Sequence, residues 1–197
     1  MSRKEIVRLS REYGGDWIVQ HAERLLKLIE IIGVDLEYDA DAVWTAAYLH
    51  DWGACPRWTR AGVSHARRSR QVAEAYLRKV RCPRARMALA VEAIEYHHGG
   101  AAGRSTEAIL LSDADALDSL GVLGVLKEFA MIPAEPSGDY CLPRAFGMRE
   151  AYERARIRRE NLPRLLRLEK SCALAAERLA GMDRLFELLE RDTFGCF

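Results

Sequence analysis

An all-α fold is the prediction for this 197-residue chain, and three observations carry it. Apolar residues recur three and four apart along nearly the whole length, which places them on one face of successive helices. No stretch alternates cleanly with β-branched residues between hairpin turns, so few or no strands are expected. Near the C-terminus, Leu165, Leu168, Cys172, Ala175, Leu179, Met182, Phe186 and Leu189 form a seam whose spacing alternates between three and four without a break.

The elements follow in order. From Trp17 to Ile32, the residues Ile18, Leu25, Leu28, Ile29 and Ile32 define a first helix. A second opens at the capping-competent Asp39–Asp41, carries Val43, Ala46 and Ala47, and stops at Gly53. A third starts near Ser64 with Val72, Tyr76 and Leu77 on its stripe. A fourth follows Pro83, carries Met87, Ala90, Val91 and Ile94, and ends at Gly99–Gly100. A fifth begins near Ser105 or Thr106 and runs through Leu120 toward Phe129. The Pro- and Gly-rich stretch 133–147 reads as a surface loop, and a charged helix follows over about 148–160. The last helix takes Pro163 into its first turn, where a missing N–H costs little. Its seam can pack on the domain's own core or pair with a second subunit, which makes a homodimer through Leu165–Leu189 a candidate assembly.

Length and composition bound the function. At about 150 residues per domain, the chain is expected to be a single domain over 1–197, with a site-bearing core at about 16–129 and C-terminal helices to about 192. Thirty Lys and Arg against twenty-nine Asp and Glu leave a net charge of +1, so no global pull toward nucleic acid or an anionic membrane is expected. The basic excess between Arg144 and Lys170 is interleaved with Glu150, Glu153, Glu160 and Glu169, the pattern of a solvated helix face. The N-terminal stretch lacks the apolar run of a secretory signal, and no segment is long enough to span a bilayer. Five scattered cysteines without a CxxC pair point to a reduced, cytoplasmic protein.

The chemistry concentrates in the histidines. His21, His50, His65 and His97 each continue the apolar stripe of a different helix, so four helices are expected to push an imidazole into the interior. A buried imidazole left unpaired costs on the order of 1–3 kcal/mol, and a shared divalent cation satisfies several at once. Asp51 follows His50 directly, at the end of an otherwise apolar helix. Asp113, Asp115 and Asp118 form a second acidic cluster on an apolar helix, which resists burial unless a cation or donors compensate. Asp115 shares the buried face of Ala108 and Leu111, whereas Asp113 and Asp118 read as solvent-facing or capping residues. Imidazole nitrogen with carboxylate oxygen suits Mn, Fe, Co, Ni or Zn. Trp52 and Trp58 read either as stacking surfaces for a base or as packing anchors.

The phrases HAERL, LHDWG, YHH and DADALDSLG, in that order over residues 16–129, resemble the HD-domain superfamily of metal-dependent phosphohydrolases. The later stretch RLLRLEKSCALAAERL is similar to the C-terminal helix of small HD proteins of the nucleotide-pyrophosphohydrolase-like type. The resemblance implies an HD-domain helical bundle that holds one divalent ion (Mn, Fe, Co, Ni, Mg or Zn) through His21, His50, Asp51 and Asp115. It further implies that His65 and His97 bind a second metal or face the substrate phosphate, and it leaves His98 without an assigned role. It does not extend to the nucleoside 5′-monophosphatase branch, because no acid lies between Asp51 and His65. Arg24, three residues after His21, matches a basic position of the resembled proteins and is the first candidate for a phosphate contact; Arg57 and Arg60 are further candidates. The implied reaction is hydrolysis of a phosphoester or phosphoanhydride, with a nucleotide as the expected small-molecule substrate. Asp115, or Asp113 beside it, would orient or deprotonate water, and Arg24 and His97 would stabilise developing charge. Two alternatives accompany this expectation: a di-iron oxygenase built on the same residues, and a nucleotide sensor without turnover.

Overall fold

This computed structural model describes residues 2–100, 103–131, 134–137, 140–143 and 147–196, with the backbone alone at 134–137 and 140–143. Among the described residues there are eight α-helices: α1 Arg3–Ile32, α2 Ala40–Leu49, α3 His65–Lys79, α4 Arg84–Tyr96, α5 Thr106–Asp118, α6 Gly121–Ala130, α7 Gly147–Asn161 and α8 Glu169–Asp192. The fold is all-α, as predicted. Short 3-10 turns occupy Trp52–Ala54 and Leu162–Leu165. No helix of the described residues is long and apolar enough to cross a membrane. Contacts divide the chain into two compact units, Met1–Asp115 and Ala116–Phe197.

In the first unit, α1 begins at Arg3, well ahead of the predicted start at Trp17. Its first segment buries Ile6 and Ser10 and is laced on the outside by Arg8 pairing with Glu5 and Glu12. The helix kinks at Gly15, which takes φ 72° and ψ −167°, a conformation that L side chains rarely adopt. Asp39 caps α2 by accepting from the Ala42 N–H at 2.9 Å, and Ser64 caps α3 through the Arg67 N–H, both where capping residues were expected. α2 packs against α1 and α4, and α3 against α4 and the 3-10 turn that follows α2. The core between them contains Leu25, Ile29, Ile32, Leu49, Trp52, Leu77 and Ile94. On α5, every residue from Leu110 to Asp115 is buried, so this helix has no solvent face over that stretch.

In the second unit, α6 packs against α7 and α8. The sequence suggested one continuous helix through Phe129; the chain instead breaks after Asp118. A Cβ on Gly124 would lie 2.2 Å from the Ser119 carbonyl oxygen, and Gly121 has φ 79°, so the two glycines allow the turn between α5 and α6 to close tightly. Pro163 belongs to the 3-10 turn and not to α8, which leaves Leu165 and Leu168 outside the last helix. Along the seam, Ala175, Met182 and Phe186 are buried, while Cys172 is exposed. The stretch predicted as a loop contains a two-stranded antiparallel hairpin, β1 Ala134–Ser137 and β2 Tyr140–Pro143, with Ala134 opposite Pro143 and Ser137 opposite Tyr140. The remainder of that loop, residues 133, 138–139 and 144–146, lies outside the described residues, as does the Cys141 side chain.

Candidate metal centre

Five helices, α1 to α5, together with the segment that follows α2, bring the predicted residues together. His21 lies mid-way along the second segment of α1, His50 and His97 terminate α2 and α4, His65 opens α3, and Asp115 lies late on α5. Asp51 has already left the helix, with φ −105° and ψ 5°, so its carboxylate turns back toward the His50 ring despite the wide angle that separates consecutive helical side chains. Ring centroids run from His21 to His50 at 5.1 Å, from His50 to His97 at 4.9 Å and from His97 to His65 at 5.4 Å.

Asp51 faces two groups of imidazoles with its two oxygens. Oδ2 lies 3.4 Å from His50 Nε2 and 3.9 Å from His21 Nε2. Oδ1 lies 3.9 Å from His65 Nε2 and 4.0 Å from His97 Nε2. Asp115 reaches across in the same way, with Oδ1 3.3 Å from His21 Nε2 and Oδ2 3.8 Å from His98 Nδ1. Donor atoms of His21, His50 and Asp51 all lie within 4.8 Å of one another, and so do those of His65, His97 and His98.

The donor chemistry fits a cation at this place. His50 Nδ1 lies 2.9 Å from the Ala47 carbonyl and His97 Nδ1 2.6 Å from the Ile94 carbonyl, so both rings carry their proton on Nδ1 and present a lone pair on Nε2. His97 Nε2 is buried and has no hydrogen-bond partner, an arrangement that a cation relieves. His50 Nε2 aims its lone pair at a point shared with His21 Nε2, 3.2 Å away. Burial pushes the His97 imidazole down to about 3, with His50 beside it acting in the same direction, so the ring is neutral and available as a ligand at physiological pH. Burial alone would raise the carboxyls of Asp51 and Asp115. For Asp51 the His50, His97 and His21 imidazoles outweigh it, and for Asp115 the His21 hydrogen bond and the surrounding rings do so, which leaves both below the usual carboxylate range and charged.

Several sequence expectations need correction here. His65 is not interior: 39 % of its side chain is exposed, because it lies at the first position of α3. His98, left without a role by the sequence, is 54 % exposed beside the buried His97, and its Nδ1 lies 3.8 Å from Asp115 Oδ2. Asp113 and Asp118 are both buried. Asp113 is two residues from Asp115, about 200° around the helix, so it does not share that residue's face. Asp118 pairs with Lys127 Nζ at 2.5 Å. Arg24 is half-buried one turn beyond His21. Arg57 is exposed, pairs with Glu12 at 3.6 Å and lies over the rings of Tyr13 and Trp58; Arg60 is exposed. Trp52 is a packing anchor, buried edge-on to Tyr13 and Tyr76 with Nε1 donating to Ser10 Oγ at 2.9 Å.

Sequence reasoning missed two contributors. Gly53 is buried against α3: a Cβ there would lie 2.3 Å from Ser69 N and 2.6 Å from the His65 carbonyl oxygen, and its own N–H donates to Ser69 Oγ at 2.8 Å. The missing side chain thereby brings the turn bearing His65 close to Asp51. Trp17, one turn before His21, stacks on that imidazole at 5.4 Å with 22° between planes. Its spacing of four from His21 was the available signal.

A search among curated proteins finds no match. The solved structure of YpgQ from Bacillus subtilis in complex with ADP is similar over 97 % of this chain and 97 % of its own, at 21 % identity and a TM-score of 0.67. A predicted HD superfamily hydrolase from an uncultured Thermotogales bacterium is similar over 96 % of this chain and 92 % of its own, at 19 % identity and a TM-score of 0.66. An HD-superfamily hydrolase from Bacillus thuringiensis is similar over 98 % and 97 %, at 19 % identity and a TM-score of 0.65. The sequence profile of the HD domain matches residues 18–120, just over half of the chain, and spans every residue of the histidine–aspartate cluster. With that match over the helices that carry His21, His50, Asp51, His65, His97 and Asp115, this chain belongs to the HD domain family.

Proposed function

We propose that this protein is a metal-dependent phosphohydrolase acting on a phosphoester or phosphoanhydride bond of a nucleotide. The observation that carries the reading is the division of the Asp51 carboxylate between two imidazole groups, with Asp115 spanning the same gap. His21, His50, Asp51 and Asp115 would hold one divalent cation, and His65, His97 and His98 with the other Asp51 oxygen would hold a second. A cation so held supplies Lewis-acid activation of water and of the phosphoryl oxygen.

The chain's own groups do the rest. The Nδ1–H bonds to Ala47 and Ile94 orient the His50 and His97 rings before any ligand arrives. Asp115, charged and held below the usual range, accepts a hydrogen bond from the attacking water and orients it, a role better matched to its low basicity than proton removal. Arg24, half-buried beside His21, provides a fixed positive charge for non-bridging phosphate oxygens. The ADP in the similar YpgQ structure supports a nucleotide as the ligand class.

The test is a screen of the purified chain against nucleoside mono-, di- and triphosphates and a chromogenic phosphodiester, with Mn, Mg, Co and Ni in turn. His50→Ala and Asp51→Ala are each expected to lose bound metal, read by elemental analysis, together with hydrolysis. Hydrolysis that persists in a variant without bound metal overturns the reading. The divided carboxylate also suits a two-iron oxygenase, which two irons per chain and oxygen uptake with an organic substrate would reveal. Nucleotide binding without turnover under every metal would instead mark a sensor.

A further inference from the structure

Trp17 is out of place for a residue that only supports the fold. It lies in the first turn after the Gly15 kink and leaves 53 % of its surface exposed, although an indole gains its stability from burial. On the first segment of α1, Tyr13 packs against Trp52 and Trp58. Trp17 stacks on His21, and His21 Nε2 points at His50 and Asp115. A single imidazole therefore separates the indole from the centre of the candidate metal site. Arg24, one turn beyond His21, continues the same stripe, so α1 aligns an exposed aromatic ring, a metal-ligand candidate and a cation at spacings of four and three.

We infer that Trp17 is the stacking platform for the base of a nucleotide whose phosphates lie over the histidine–aspartate cluster. The inference rests on the phosphohydrolase reading and adds where the base sits. An aromatic ring beside a phosphate site accepts any base through its π-face, so Trp17 confers a preference for nucleotides over base-free polyphosphates with little choice among bases. The α1 stripe then divides the work: Trp17 for the base, Arg24 for phosphate oxygens, His21 for the cation.

The experiment compares two non-hydrolysable ligands on the Mn-loaded full chain by calorimetry: α,β-methylene-ADP, and methylenediphosphonate, which has the same phosphorus backbone without nucleoside. Trp17→Ala is expected to weaken the nucleotide analogue about 5- to 100-fold, the range of one base stacked on one aromatic ring, and to leave the diphosphonate unchanged. Trp17→Phe, which keeps a ring over His21, is expected to retain most of the nucleotide affinity. Equal weakening of both ligands, or loss of bound Mn, would make Trp17 a support for His21 and overturn the inference. So would unchanged nucleotide affinity in Trp17→Ala. A wild-type chain that binds the diphosphonate, with the nucleoside adding nothing, sinks the stacking platform alone; a chain that binds neither sinks the phosphohydrolase reading with it.

Discussion

Gly53→Ala probes how the two halves of the cluster are held in register. A methyl group at residue 53 would lie 2.3 Å from Ser69 N, 2.6 Å from the His65 carbonyl oxygen and 2.8 Å from the Arg68 carbonyl carbon. All three are backbone atoms of the first turn of α3, so no flexible side chain can swing away. Ordinary van der Waals contact requires that turn to retreat by about 1 Å. Overpacking of this kind costs about 1–3 kcal/mol, and the strained Gly53 N–H bond to Ser69 Oγ adds about 1 kcal/mol. At about 2–4 °C per kcal/mol for a chain of this size, the melting temperature should fall by roughly 5–15 °C. His65 rides on the displaced turn, and its Nε2 is already 3.9 Å from Asp51 Oδ1. Cation binding by the His65, His97 and His98 group should therefore weaken more than binding by the His21 and His50 group. Titration with Co(II), followed by its visible absorption, reads the two classes of site alongside the melt. Ser69→Ala is the control: it leaves the Gly53 N–H buried and unpaired at a cost of about 1–3 kcal/mol, yet adds no bulk that would move His65. A Gly53→Ala protein with wild-type melting and wild-type Co(II) binding would refute the argument.

Two further outcomes follow from the same site. Arg24→Ala should retain bound metal while lowering kcat/KM about 10- to 100-fold, the worth of one hydrogen bond from a charged group; metal loss in this variant would give Arg24 a structural role. Metal-free protein should lose stability steadily as pH falls from 6.5. His97 is depressed to about 3 from its ordinary 6.5, so over that window the unfolded chain binds a proton that the folded chain refuses. Asp51 and Asp115, also lowered, extend the loss as pH drops below their ordinary value of 3.8. Urea denaturation across this range checks the slope; His97→Gln should flatten it between 6.5 and about 4, and an unchanged slope would contradict the assignment.

Where the fold was legible in the sequence, the signal was periodicity joined to chemistry. Ile18 to Ile32 declared a helix by spacing, and Asp39 and Ser64 declared helix starts because their side chains can satisfy open N–H groups. Where it was not, the deciding contact was distant or the local signal pointed both ways. No helix was expected in the stretch before Trp17, yet α1 begins at Arg3 and continues past the single non-helical residue Gly15. Gly121 and Gly124 sit in an apolar run that looks helical throughout, and only the close Ser119 carbonyl shows why the run must break. In the site, four imidazoles on helical stripes pointed to a common centre. The exposure of His65 and the reach of His98 depend on where α3 begins and α4 ends, within the one or two residues that periodicity does not resolve.

His50 and His97 share one detail that bears on how the site fills. Each stands at the end of its helix, and each uses Nδ1 to satisfy a carbonyl that the vanished next turn would have served. Helix termination and ring orientation are thus one event: once α2 and α4 have folded, both rings are set in place with the correct tautomer. Loading an ion then requires no search among side-chain rotamers at these two positions. Selection among ions falls to the size of the gap and the hardness of its donors, properties that the folded backbone has already fixed.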